Sequence, residues 1–200
     1  MLSTVIVDAY SSHEKNEMAA ALEEICSPND PYGWSSASVY SFWNPSNREI
    51  MYIGLAIDLP QRFRQHNGLL PAPKSGCKVE QIQKYFKTNE KLGFSIWVQS
   101  PLSQPVCRRV LEQYDIDPDL VEAETRELLD QGREEIQLFE GLLLESFRVQ
   151  NGRLPKWNSI GGSIAGQRTQ YKDAQMLLDY LSFFIQWPTL GKIHIERDRR

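Results

Sequence analysis

Four side chains between Ser38 and His66 have the chemistry to act on a phosphodiester: Tyr40, Tyr52, Arg62 and His66. A phenol has a pKa near ~10, so it is a poor base until a cation or a hydrogen bond lowers it. A guanidinium gives bidentate bonds to non-bridging phosphate oxygens. An imidazole can take a proton or contact phosphate. Further along, Glu145 is flanked by Leu144 and Phe147. A carboxylate in such apolar company is expensive unless it is paired or bound to metal. Glu140 is the rival carboxylate; five residues earlier on the same helix, it points in a direction differing by roughly 140°.

The elements that must position these groups are short. Ala37 to Trp43 is β-branched and aromatic and suits a strand. Asn44-Pro45-Ser46-Asn47 is turn chemistry, and Glu49 to Gly54 is a second strand, which gives a hairpin. Asp58 then caps a helix with Pro60 in its first turn, and Gly68 stops it. On that helix Arg62 and His66 are four apart and share a face. Hairpin and helix together bring two phenols, a guanidinium and an imidazole into one region. Val79 to Asn89 reads as a helix and Phe94 to Val98 as a third strand. Before the hairpin, Thr4 to Val7 is a short strand or an irregular lead-in. Ser11 with Glu14 resembles a capping box, opening a helix that runs to about Cys26. After the third strand, Asp117-Pro118 opens an acidic helix, Gly132 marks a break or kink, and Glu134 to Gln150 is a further helix. Gln170 to Gln186 is the last helix.

Ser38-Val39-Tyr40, then Tyr52-Ile53-Gly54, then Arg62 and His66 resemble the signature of the GIY-YIG nuclease superfamily. Leu142 to Glu145 followed by Leu154-Pro155-Lys156-Trp157-Asn158 resembles that family's Glu/Asn motif, most closely the form in the UvrC N-terminal domain. The resemblance covers roughly 37–162. Two positions depart from it. Ser38 stands for the first Gly of the GIY triplet, and Lys78 stands where some homing members have a second His. The resemblance implies Tyr40, Tyr52, Arg62, His66, Glu145 and Asn158 as catalytic residues, with Glu145 holding Mg²⁺ or Mn²⁺. Tyr40 would help to activate the attacking water and Tyr52 would order it; whether Tyr40 or His66 is the base stays open. Asn158 would orient its loop or the substrate backbone.

Charge along the chain is uneven. Residues 61–91 hold seven Lys/Arg against two acids, and 146–200 nine against four; 1–60 hold two against eight, and 92–145 four against twelve. The basic blocks flank the proposed site, as a phosphate-tracking groove requires. Arg64, Lys74, Lys78 and Lys84 are its candidate nucleic-acid contacts, with duplex or branched DNA as the partner. The net charge of −4 argues against an indiscriminate nucleic-acid coat. Hydrophobic residues make up 41% of the chain, enough for a buried core. Cys26, Cys77 and Cys107 are widely spaced and form no zinc pattern, which fits a reduced cytoplasm. The first residues do not read as a signal peptide, and no run of eighteen apolar residues spans a membrane.

These readings give an α/β (α+β) fold over 1–200: a small three-stranded, mainly antiparallel sheet flanked by helices. Helical additions lie at the N-terminus, in an acidic insertion at 101–135 and in a C-terminal extension at 163–200. The function expected is a metal-dependent DNA endonuclease using one metal ion. The alternative is a non-catalytic nucleic-acid-binding or protein-interaction module of the same fold. The acidic helix at 118–131 is a candidate protein-docking surface, and a palindromic target would call for a homodimer.

Overall fold

The computed structural model describes residues 4–26, 36–73, 76–98, 115 and 123–168. Lys74, most of the 101–135 insertion and the expected helix at 170–186 lie outside the described residues. Four strands form one open sheet: β1 (Thr4–Ser11), β2 (Ser38–Trp43), β3 (Ile50–Ala56) and β4 (Lys91–Val98). Their spatial order is β1-β4-β2-β3, and every pairing is antiparallel. The three-stranded expectation is corrected by β1, which pairs with β4 from Thr4↔Val98 to Ser11↔Lys91. Asp8 interrupts the apolar run there, yet backbone pairing carries the strand past it.

Among the described residues the helices α1 (Lys15–Ile25), α2 (Leu59–His66), α3 (Val79–Phe86) and α4 (Ala123–Asn151) flank the sheet. Side chains alternate across strands, so the sheet has two distinct faces. On one face Tyr10, Tyr40, Phe42, Phe94 and Ile96 pack with Met18 and Leu22 of α1, Phe63 of α2 and Ile82 of α3. On the other, Val39, Ile50, Ile53 and Trp97 pack with Ile136, Leu143, Leu144 and Phe147 of α4. Each such side chain contributes about 1.5–3 kcal/mol by leaving water. The helix α4 runs unbroken through Gly132, so the expected break there is not found. One glycine costs a helix only about 1 kcal/mol, which the packing of Ile136, Leu143, Leu144 and Phe147 outweighs. Among the described residues no helix is long and apolar enough to cross a membrane.

The strand β3 lies at the sheet's edge, and the segment after α4 seals it. The Trp157 N–H donates to the Met51 carbonyl at 2.9 Å. Asn158 does what a partner strand would: its Oδ1 accepts from the Ile53 N–H at 3.0 Å, and its Nδ2 donates to the Ile53 carbonyl at 2.7 Å. Near the centre of the sheet Gly93 lies opposite Trp43, whose indole N–H donates to Ser95 Oγ at 2.8 Å. A Cβ at position 93 would stand 2.3 Å from the indole ring. Gly93→Ala is therefore expected to lose about 1–3 kcal/mol of stability through overpacking, read as a lower urea midpoint at unchanged slope.

Candidate active site

The local chemistry of the hairpin and of α2 is as the residues dictate. Asn44 Oδ1 accepts from the Ser46 N–H and Asn47 Oδ1 from the Glu49 N–H, which closes the turn between β2 and β3. Asp58 Oδ1 caps α2 by accepting from the Gln61 N–H at 3.0 Å, and Gly68 ends it at φ 73°. The i,i+4 pair Arg62 and His66 then faces β2 and β3.

Tyr40 and His66 are buried, and their Oη and Nε2 are 2.6 Å apart. The other ring nitrogen, His66 Nδ1, accepts the Lys78 backbone N–H at 3.0 Å. A backbone N–H can only donate, so the neutral ring carries its proton on Nε2 and donates it to Tyr40. Burial, then the Arg62 and Lys78 charges, pushes the His66 pKa down to about 3. Both nitrogens of the neutral ring are thus engaged, Nε2 with Tyr40 and Nδ1 with Lys78.

Tyr52 joins the cluster through Gly54. The Tyr52 ring folds back along its own strand, and a Cβ at position 54 would stand 2.6 Å from its Oη. Gly54 is also the cross-strand partner of Tyr40. The glycine of the Tyr-Ile-Gly triplet therefore makes room for the phenol to reach its neighbour. Arg62 stands close enough to both phenols to act on their charge, and its Nη2 donates to the Gly76 carbonyl at 2.8 Å. Burial holds both phenols above their ordinary pKa, Tyr40 well above it, and Arg62 opposes the rise in each. Lys78 is 8% exposed, with its Nζ 5.0 Å from the centre of the Tyr52 ring. Burial, then Arg62, lowers its pKa. Among the described residues no carboxylate pairs with the Arg62 or Lys78 charge.

The two rival carboxylates, Glu145 and Glu140, have different surroundings. Glu145 is buried but gripped by the fork of Arg148, with Nε to Oε2 at 2.8 Å and Nη2 to Oε1 at 2.6 Å. That pairing holds its pKa below the usual carboxylate value. Glu140 instead lies against the outward edge of β3. The Leu55 backbone amide lies near enough to lower its pKa, and its charge is felt by Tyr52. Burial pushes its pKa up to about 7, and the Leu55 amide only partly offsets this.

Asn158 holds its loop against β3 by both bonds of its amide to Ile53. Arg64 bonds Glu23 Oε2 at 2.5 Å and ties α2 to α1. Lys84 is exposed on α3, as a groove contact requires. Lys78 belongs to the site itself. Its inward turn was not legible, because nothing in the sequence sets the direction of a lysine at a helix start.

A divalent cation fits this arrangement at Glu140. A desolvated carboxylate held near neutrality gains from a hard cation, whereas Glu145 already has its counter-charge. Among the described residues no three His, Cys, Asp or Glu side chains converge, so one carboxylate would hold the ion with non-protein oxygens completing its shell. No family model, curated protein or solved structure matches this chain.

The two shifted groups act on stability with opposite signs. The His66 pKa is depressed on folding, so its contribution is full above about 6.5 and is lost as pH falls toward about 3. The Glu140 pKa is raised from 4.5 to about 7, so its cost is absent below 4.5 and complete above about 7. Glu140→Gln is expected to be more stable than wild type at pH 8.5 by roughly 2–3 kcal/mol, with the gain gone at pH 4. Urea titrations at both values check this, and the His66 contribution cancels in the comparison.

Proposed function

We propose that this chain is a divalent-metal-dependent endonuclease of the GIY-YIG type, hydrolysing phosphodiester bonds of DNA. The observation that carries the reading is the pairing of Arg62 with Lys78. Two cations meet two phenols in a largely dry pocket, and no described carboxylate neutralises them. Uncompensated positive charge of this kind is costly to the folded chain and suits an anionic group with several acceptor oxygens.

In this reading Arg62 and Lys78 hold the non-bridging oxygens and stabilise charge as it builds in the transition state. The phenols sit beside them, so the attacking water and the phosphorus are brought together by groups that need not reorganise. Glu140 would hold Mg²⁺ or Mn²⁺, which supplies Lewis-acid stabilisation and makes a bound water more acidic. Asn158 and Trp157 keep β3, and with it Tyr52, in register with that carboxylate. Lys84 would follow the nucleic-acid backbone outside the pocket.

Plasmid cleavage tests the proposal. Wild type is expected to cut with Mg²⁺ and not with EDTA. Glu140→Ala should lose at least ~10²-fold in rate, while Glu145→Ala keeps a rate within about tenfold of wild type. Thermal melts of each variant separate lost chemistry from lost fold. Equal loss in the two variants would remove Glu140 from its assigned place. Wild type that cuts no duplex, branched or single-stranded substrate with Mg²⁺ or Mn²⁺ ends the nuclease reading. A second readout needs no turnover: millimolar Mg²⁺ at pH 8 should raise the melting temperature of wild type but not of Glu140→Gln.

A further inference from the structure

The row of rings around the pocket continues past Tyr52 to the edge of the sheet. Phe42 lies 6.2 Å from Tyr52 and 6.4 Å from Trp157, centre to centre, so one ring separates the candidate site from the indole. Trp157 also meets Tyr85 of α3 at 6.1 Å. The indole stands at 54° to Phe42 and at 85° to Tyr85, so neither ring lies stacked on its faces. It is only partly buried. Trp43 donates its indole N–H to Ser95 inside the fold, whereas among the described residues that of Trp157 has no acceptor. An indole with one side on a core and the other wet is the form found at binding surfaces. Charge marks the same place. Lys156 adjoins Trp157 in the chain and Lys84 adjoins Tyr85, and both lysines are exposed. Lys156 shares one carboxylate, Glu49, with Arg153, so two cations answer a single acid. A partly exposed aromatic ring beside exposed cations is the composition of a single-strand nucleic-acid platform, which takes the base on the ring and the phosphates on the cations.

We infer that Trp157 stacks on an unpaired nucleobase close to the scissile phosphodiester, and that the preferred DNA is therefore unpaired at that point. The inference rests on the nuclease reading and deepens it by naming the substrate class. Successive nucleotides advance ~3.4 Å along a duplex strand. A ring one aromatic side chain away from Tyr52 is thus within a few nucleotides of a phosphate held in the pocket. In a duplex each base is already stacked on its neighbours, and taking one out costs unstacking and unpairing energy. A base in a gap, a flap or a single strand offers its face without that cost. The platform is also fixed to the strand that carries Tyr52: the Trp157 backbone N–H is bonded to Met51, and the next residue, Asn158, to Ile53.

Fluorescence anisotropy of labelled DNA with the full-length chain tests this, in EDTA so that binding is read without turnover. Wild type is expected to bind a gapped duplex about tenfold more tightly than a plain duplex of the same length at the same salt. Trp157→Leu keeps an apolar side chain against Phe42 and Tyr85. It should lose at least about fivefold on the gapped DNA and nothing on the plain duplex, and Trp157→Phe should stay within about twofold of wild type. Lys84→Ala should weaken both DNAs alike. Wild type that binds the two DNAs equally, or binds neither, overturns the inference, and so does a Trp157→Leu loss that is absent or equal on both. A thermal melt shows whether Trp157→Leu folds. If it does not, wild type alone carries the test: 5-iododeoxyuridine placed in the gap should cross-link to Trp157 on irradiation, and cross-links confined to other residues overturn the inference. A Trp157-dependent preference for gapped DNA in a chain that cuts nothing with Mg²⁺ would sink the nuclease reading while leaving the stacking platform in place.

Discussion

The hydrogen bond from the Lys78 backbone N–H to His66 Nδ1 is the constraint on which the rest of the site depends. It joins the start of α3 to the end of α2, two elements separated by the loop around Gly76. The bond has one sense only, and it fixes the sense of the His66–Tyr40 hydrogen bond. Buried polar groups left unmade cost about 1–3 kcal/mol each. A ring turned the wrong way would leave both Nδ1 and the Lys78 amide in that state. The core around His66, built by Tyr10, Phe42, Phe63 and Phe94, therefore holds the polar series as firmly as it holds itself.

The same dryness sets the electrostatic character of the pocket. Burial weighs most against the charged forms of His66 and Lys78; His66 also feels Arg62 and Lys78 as like charges, and Lys78 feels Arg62. His66 responds by staying neutral. Glu140, across the edge of β3, responds in the opposite sense and holds its proton to about pH 7. Structural ion pairs elsewhere are arranged differently. Glu49 meets Arg153 and Lys156, Glu23 meets Arg64, and Glu145 meets Arg148. Charges are matched where the chain only needs to hold together, and left unmatched around the two phenols.

What could be read from the residues alone was local. The hairpin, the Asp58 cap, the i,i+4 placement of Arg62 and His66 and the Gly68 stop rest on interactions within a few residues, and the sequence displays these directly. The choice between Glu140 and Glu145 did not have that support. Residues 141–147 are all buried, so α4 shows no apolar stripe here from which a facing direction could be taken. Asn158 was singled out, but its partner is a strand edge more than a hundred positions away, and distance in sequence hid its structural role. Arg64 lies beside Glu23, forty-one positions earlier, a pairing that its own neighbours in sequence do not announce. The first strand was half legible because Asp8 broke the apolar pattern that the backbone ignores.

The sealing of β3 has a consequence for how this chain associates with others. An edge strand is a template on which a foreign strand can add, by domain exchange or by fibril growth. Here the Met51 carbonyl is taken by Trp157, both backbone groups of Ile53 by Asn158, and the Leu55 amide faces Glu140. From the Met51 carbonyl to the Leu55 amide, the outward backbone groups of this edge are met by side chains or by the segment around Asn158. An assembly that extends the sheet from this side must first peel away the segment that carries Asn158. The clamp that keeps Tyr52 in place thus also guards the chain against sticking to its own copies along that edge.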